Sequence, residues 1–534
     1  MKKNLRFKFD CTGLSREEII SNIYKARCIK DIDNFLNPSE DMLIELTYLI
    51  NIDKTARLVV SNILQFKKFG VYFDVDTDGC TAGTIMTRYL RDCGIEPKTF
   101  INKGKYHGIH ESKLEELKEL DILIVVDSLD SCIDNYKFLK ENDVEVVVLD
   151  HHDIDEKIPY DEYIYLVSSN RNYKNEMLSG AGVTFKFCMY LDKLLNVNFA
   201  ENYYDLCAVG LLADVMAVSE DYMENRYLVY KGLNNLKNKA IKKLVGMYEF
   251  NSNSILFSIA PLINAAVRYN ENEAAMKFLL SDTTSDINKY LKILKKCKER
   301  QNDDIKDMMP DIEKQISKQQ QNNILFVNVD SDYGISGLIG SKVLSSYKKP
   351  VLVLKKKDGN YVGSGRSVAC GDFKKICEDI GLGEFAGHPE AFGVVSIKEE
   401  DYEKFCSLSI EKMSGIQFKL DIEADIKLSA NDLTEDLIEE IKKIDKISGH
   451  KFPAINILIE TDDYKVKTMS SEKHLVFDIK SGEQVKFIQW NAGDQLSNYE
   501  DMEILGKTLK FIGTCDCGFI GREYSNRLIL NEVI

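Results

Sequence analysis

Proline is scarce in this chain, 8 among 534 residues, and the single tryptophan is Trp490. So little proline argues against long disordered linkers. No apolar run approaches the roughly 20 residues needed to cross a bilayer, so no membrane association is expected. The basic start Met1-Lys2-Lys3 has no apolar stretch behind it, which speaks against a secretory signal and for a cytoplasmic protein. The 13 cysteines include no CxxC pair, which argues against a zinc ribbon or a disulfide framework and for reduced thiols. Cys515 and Cys517 form a lone CxC, read as ordinary side chains on one strand face. No GxxxxGK[ST] segment exists, so P-loop nucleotide hydrolysis is unsupported. Positive charge is also short. Lys and Arg number 70 against 85 Asp and Glu, a net charge of −15. That opposes a protein that coats phosphates non-specifically, yet suits one that holds cations in a carboxylate cluster.

What is present is an alternation of strands and helices. The length calls for two to four domains. Residues 1–65 read as helical, with Ser15-Arg16-Glu17-Glu18 as a capping start. Three apolar runs follow, each ending in polar chemistry. Phe69 to Phe73 ends in Asp74-Val75-Asp76-Thr77-Asp78-Gly79; Ile122 to Val126 ends at Asp127; Val144 to Leu149 ends in Asp150-His151-His152-Asp153. Helical stretches at 80–90, 113–120 and 133–142 separate them. This pattern predicts parallel strands with crossover helices, a fold whose sites lie beyond the carboxyl ends of the strands. Residues 195–250 read as helical and 284–320 as one long helix. A second α/β segment starts with strands at 324–329 and 350–355. After a helix at 432–444, short strands at 454–459, 474–479, 484–489 and 507–513 predict a small β domain.

Asp74, Asp76 and Asp78 alternate before a glycine, supplying closely spaced oxygens for a hard cation. A calcium EF-hand is excluded because 84–91 supplies no glutamate at the loop's last position. Only seven histidines exist, and two stand adjacent at a strand end behind an aspartate. Imidazole suits manganese, iron or zinc. Asp127 either joins this set or caps the next helix. Asp214 sits in the apolar stretch Gly210 to Met216, where a carboxylate is expensive to bury without a partner. These ligands suffice for two ions, and two ions about 4 Å apart suit phosphoester hydrolysis. In the second α/β segment, Gly363-Ser364-Gly365-Arg366-Ser367 and Gly387-His388 read as a phosphate grip, or as an ordinary hairpin with one exposed arginine. The lysines at 348–349 and 355–357 read as solvated surface. Trp490 is expected to pack in a core, with base stacking as the alternative.

In this order the motifs resemble the DHH phosphoesterase family, and within it the RecJ exonucleases. The resemblance rests on Phe35-Leu36-Asn37-Pro38, the DVDTDG loop, Asp150-His151-His152, Ser179 to Val183, Leu211 to Asp214, Asn225-Arg226, Pro261 to Arg268, Arg300-Gln301, Gly337 to Gly340, and the GSGRS and Gly387-His388 segments. It departs at Asp127-Ser128-Leu129, where Asp-x-Gly is usual, at Val267 for glycine, and at Ala391-Phe392-Gly393.

The resemblance implies an α/β architecture in five parts: an N-terminal helical region (1–65), a parallel-sheet DHH domain (66–283), a connecting helix (284–320), a DHH-associated domain (321–415) and a C-terminal OB-like β domain (416–534). It implies two Mn2+ or Mg2+ ions. Asp76, assisted by Asp74, would hold the first, and Asp78, His151 and Asp214 the second, with Asp127 bridging. His152 would contact the scissile phosphate, and Arg268, Ser364, Arg366, Ser367 and His388 the DNA backbone. The implied activity is 5′-to-3′ hydrolysis of single-stranded DNA in repair and recombination, alongside a helicase or single-strand-binding protein. The alternatives are a phosphodiesterase for short oligonucleotides and an inactive replication or repair scaffold.

Overall fold

A computed structural model describes residues 2–330, 334–416, 419–470, 472–479, 485–520 and 523–534. The chain divides into two compact units. One gathers Phe7–Val267, Asn272–Lys292 and Glu423–Ile534; the other gathers Met1–Arg6, Arg268–Glu271 and Ile293–Ile422.

The amino terminus corrects one expectation. Lys2–Asp10 is a strand (β1), not a helix. Leu5, Phe7 and Phe9 alternate with Arg6, Lys8 and Asp10, which is the two-residue period of a strand. The helix α1 (Arg16–Ala26) then starts as expected. Ser15 accepts from the Glu18 amide while the Glu18 carboxylate accepts from the Ser15 amide, 3.0 Å away.

The first parallel sheet is built from Phe69–Phe73 (β2), Lys98–Ile101 (β3), Ile122–Val126 (β4), Glu145–Asp150 (β5) and Tyr165–Ser168 (β6), in the order β3-β2-β4-β5-β6. Every residue of β2 and β4 is buried, as continuous apolar runs in a sheet covered on both faces require. Burying each Val, Ile, Leu or Phe contributes about 1.5–3 kcal/mol. The helices α2 (Thr77–Asp92), α3 (Gly180–Leu195) and α4 (Tyr204–Ala213) pack on one another, with α2 also lying against β2. Phe73 pairs with Val126, and Val126 with Leu149. The register therefore brings Asp74, Asp127 and Asp150 to one edge of the sheet.

The helix α5 (Thr284–Ser317) carries the chain out of this region. The second sheet comprises Leu325–Asn328 (β7), Val351–Lys357 (β8), Asn360–Arg366 (β9), Glu384–His388 (β10) and Ala391–Lys398 (β11), in the order β10-β11-β9-β8-β7. Only β7 and β8 run parallel. The helix α6 (Ser336–Tyr347) packs on β8 and β9.

The third sheet is mostly antiparallel. It joins β1 with Lys419–Leu428 (β12), Asn456–Thr461 (β13), Tyr464–Met469 (β14), His474–Ile479 (β15), Lys486–Gln489 (β16), Leu509–Ile520 (β17) and Glu523–Val533 (β18). The helix α7 (Glu435–Asp445) packs against β17. Trp490 corrects a second expectation. It sits in the turn after β16, 41% exposed and edge-on to His474, because the buried positions of that strand are Phe487 and Ile488. Arg226 is fully buried nearby in sequence-distant company. Its guanidinium lies 3.4 Å over the Phe35 ring and donates to the carbonyls of Phe35, Val218 and Ile447 at 2.6, 3.1 and 3.2 Å. One cation thus ties the N-terminal segment to the loop after α7. Among the described residues, no helix is long and apolar enough to cross a membrane.

Candidate metal centre

The carboxyl edge of the first sheet collects eight titratable side chains, Asp74, Asp76, Asp78, Asp127, Asp150, His151, His152 and Asp214, from four stretches of sequence. Asp76 is the N-cap of α2, its carboxylate accepting from the Gly79 amide at 2.9 Å. Gly79 has no substitute there, since a Cβ would stand 2.4 Å from the Asp74 Cβ. Asp78 is 1% exposed and accepts from the Ser179 hydroxyl and the Gly180 and Ala181 amides at 2.9, 2.7 and 3.1 Å. The amino end of α3 thus holds it by orphan amides and dipole. Gly180 permits a close approach to Asp127, whose Oδ1 would lie 2.4 Å from any Cβ.

Asp127 does not cap the next helix. It turns at φ +58°, a left-handed conformation uncommon outside glycine, and directs its carboxylate to the cluster. Its Oδ1 is buried and accepts no hydrogen bond among the described residues. His151 Nε2 stands 3.2 Å from that atom, 3.3 Å from Asp214 Oδ2 and 4.0 Å from Asp78 Oδ2. Asp214 lies at the carboxyl end of α4, where the helix dipole disfavours an anion, and Val215 beside it is also at positive φ. The atoms fall into four overlapping groups that could each hold a cation: Asp74, Asp76 and Asp127; Asp78, His151 and Asp214; Asp127, His151 and His152; and His107, Asp150 and His152.

Electrostatics make these groups fit such ions. Burial and the charges of Asp74 and Asp78 push Asp76 up to about 7. Burial and the charges of Asp78 and Asp76 push Asp214 up to about 8 and Asp127 well above the carboxylate range. Burial draws His151 below its ordinary value, against the pull of Asp78 and Asp150. Three carboxylates thus crowd around His151 Nε2 at 3.2 to 4.0 Å, and a cation among them would offset the cost of their charge. The orphaned Asp127 oxygen and the His151 nitrogen are donors that could hold a metal ion.

His152 differs from its neighbour. Its Nδ1 is bonded to Asp150 Oδ1 at 2.8 Å, and its ring is half-exposed. Burial would lower its pKa, but the hydrogen bond and charge of Asp150 more than reverse this, to about 9. Asp150 is fully buried. Despite burial, the His152 bond and charge and the amides of His151 and His152 hold it below the carboxylate range. His107 was missed in the sequence. Its Nδ1 lies 3.0 Å from Asp74 Oδ1, and its ring meets that of His152 edge-on at 4.8 Å. Its signal was faint, because β3 is short and half-exposed and does not read as a strand. Ser128, donating to Asp74 Oδ1 at 2.9 Å, was missed too.

The predicted phosphate grip lies on the second sheet. Ser364 and Arg366 are on β9, with Ser367 just beyond it; Ala391 pairs with Arg366 and also with His388. The register thus lines up His388, Ala391 and Arg366 across three strands. Ser336, opening α6, is bonded to Ser364 at 2.9 Å. A Cβ on Gly337 would meet Arg366 Nη2 at 2.7 Å, so glycine is what lets the guanidinium lie on this helix start. Sequence reading did not name Ser336. Arg268 ends the helix Ala260–Arg268 and belongs to neither sheet.

Residues 68–211 match the DHH family, N-terminal domain. A Bacillus subtilis protein named "Putative SPbeta prophage-derived single-strand DNA-specific exonuclease YorK" is 28% identical over 523 residues, covering 90% of this chain and 89% of its own. The single-stranded-DNA-specific exonuclease RecJ of the same organism is 25% identical over 469 residues, covering 83% of this chain and 58% of its own. Among solved structures, RecJ of Thermus thermophilus in complex with Mn2+ superimposes with a TM-score of 0.78 at 22% identity, over 100% of this chain and 79% of that one. A Mg2+ complex of the same Thermus protein also matches, with a TM-score of 0.72.

Proposed function

From a chain that carries a DHH family N-terminal domain and is similar along most of its length to single-strand-DNA-specific exonucleases, we propose a two-cation phosphodiesterase that removes nucleotides from the 5′ end of single-stranded DNA. The observation that carries this reading is the convergence of Asp127, His151, Asp214 and Asp78 within 4.0 Å around His151 Nε2, beside the Asp74, Asp76 and Asp127 group. Homology supports the nuclease role. The geometry supports the ligand set.

Asp74, Asp76 and Asp127 would hold one Mn2+ or Mg2+, and Asp78, His151 and Asp214 the other, with Asp127 shared. When bound, such ions supply Lewis-acid charge to the attacking and leaving oxygens of an in-line displacement. His152, anchored on Asp150 and half-exposed, presents Nε2 to a phosphate oxygen. Its proton, kept by Asp150, makes that contact a charge-assisted hydrogen bond. Arg366, with Ser364, Ser367 and His388, forms a donor cluster for backbone phosphates, and Arg268 is assigned to the same task. The five-part domain division given by the resemblance is part of this reading, with single-stranded DNA as the partner and repair or recombination as the setting.

The test is mononucleotide release from single-stranded DNA labelled at either end, with Mn2+, for wild type and Asp127→Ala. Release from the 5′ end that vanishes in the variant is the expected result. Hydrolysis restricted to dinucleotides moves the protein to short oligonucleotides. A well-folded chain inactive on both refutes catalysis.

A further inference from the structure

The loop after β3 leaves the same carboxyl edge as the proposed ligands, one strand beyond β2, because Ile101 pairs with Phe73. It is tied down on both sides of His107. Asn102 donates to the carbonyls of Tyr106 and Gly108 at 3.0 and 2.7 Å, and accepts from the buried Tyr72 hydroxyl. The Gly108 amide donates to Ser128 Oγ at 2.9 Å, and Asn272 donates to the Gly104 carbonyl at 2.7 Å. His107 is therefore delivered to Asp74 by a braced loop.

Asp74 Oδ1 receives two partners, Ser128 Oγ at 2.9 Å and His107 Nδ1 at 3.0 Å. With Asp74 Oδ1 as the acceptor of both, the imidazole donates from Nδ1. The arrangement repeats that of His152, whose Nδ1 is held by Asp150, and the two rings pack edge-on at 4.8 Å. Of the two carboxylates, Asp150 is saturated by the Leu129, His151 and His152 amides and is grouped with His107 and His152, whereas Asp74 is grouped with Asp76 and Asp127, the carboxylate shared in the reading above.

We propose that His107 is a positioning residue for the first cation: with Ser128 it fixes Asp74 through Oδ1 and leaves the other carboxylate oxygen for the ion shared with Asp76 and Asp127. This rests on the two-cation reading above. Partners in this position commonly change metal affinity by about 10- to 100-fold. Asparagine can place its amide nitrogen where the ring has Nδ1; glutamine reaches toward Nε2 and abandons the bond to Asp74.

The experiment is calorimetric titration of the full chain with Mn2+, for wild type, His107→Ala, His107→Asn and His107→Gln, with Tm in EDTA measured alongside. His107→Ala should weaken one of two ions about 10- to 100-fold and leave the other unchanged. His107→Asn should recover most of that loss and His107→Gln should not, with Tm in EDTA unaltered. Wild type binding fewer than two ions overturns the two-cation reading and this one with it. Wild type binding two ions while His107→Ala binds both with unchanged affinity overturns this one alone. So does recovery by glutamine in place of asparagine, which makes Nε2 the working atom.

Discussion

The carboxyl edge of the parallel sheet and the glycine-rich end of the second sheet are built on opposite plans. At the first, Asp74 and Asp127 follow the buried strands β2 and β4, Asp150 ends the neighbouring β5, and Asp214 arrives from a helix end more than 60 residues later in the sequence. At the second, Ser364 and Arg366, half-buried on β9, and His388, exposed on β10, flank the strand β11 that pairs with both, within 25 residues of sequence. The first gathers like charges that burial makes mutually hostile. The second presents donors that are content in water. A buried anionic cluster requires a cation, and an exposed cluster of donors offers itself to an anion. On the proposed function, the difference is how a strongly acidic protein would hold an acidic substrate.

Removing one shared carboxylate is the hardest blow to that contrast. Asp127→Asn should lower Mn2+-dependent nucleotide release by on the order of 10³-fold, the scale for losing a charge-stabilising group at a reacting centre. In EDTA the same variant should be more stable than wild type by about 1–2 kcal/mol, since an amide removes the cost of forcing this carboxyl out of its ordinary ionised state. Chemical denaturation in EDTA reads this, and a variant less stable than wild type contradicts a frustrated cluster.

The second sheet should fail differently. Arg366→Ala should raise KM for single-stranded DNA about 10- to 100-fold with kcat largely kept, matching a charged hydrogen bond of about 1.5–3 kcal/mol. Arg366→Lys should restore little, because an ammonium lacks the planar fork. A fall in kcat with KM unchanged would place Arg366 in the chemistry instead.

Acidity separates the regions a third way. Asp76 and Asp214 have folded pKa values raised to about 7 and about 8, above their unfolded value of 3.8. The folded state therefore binds more protons than the unfolded one between pH 4 and 8, and stability falls as pH rises through that window. Tm in EDTA should decline from pH 5 to pH 8, and saturating Mn2+ should remove the slope. The mildest effect belongs to Ser336→Ala, which loses one neutral hydrogen bond to Ser364; KM should rise about 2- to 10-fold and Mn2+ affinity should not change.

The strands β2 and β4 were readable to the residue, since a buried parallel strand is a continuous apolar run and each ends where the aspartate begins. β1 and β3 were not. Short or half-exposed strands carry little apolar signal, and the loss of β3 hid His107. Trp490 was assigned to a core because an aromatic in a β stretch usually packs, and its turn position is a fact of register.

The sequence by itself determined which residue types end which strands, and so the chemistry on offer: carboxylates and imidazole, which suit cations, and glycines with arginine and serine, which suit an anion. Tertiary structure alone decided their partnerships. It grouped Asp74 with Asp76 and Asp127, gave His151 to Asp214, and set His152 on Asp150 and His107 on Asp74. The physical reason is that side-chain chemistry is local, whereas a distance between strand ends depends on pairing register and helix docking, which are summed over the whole core.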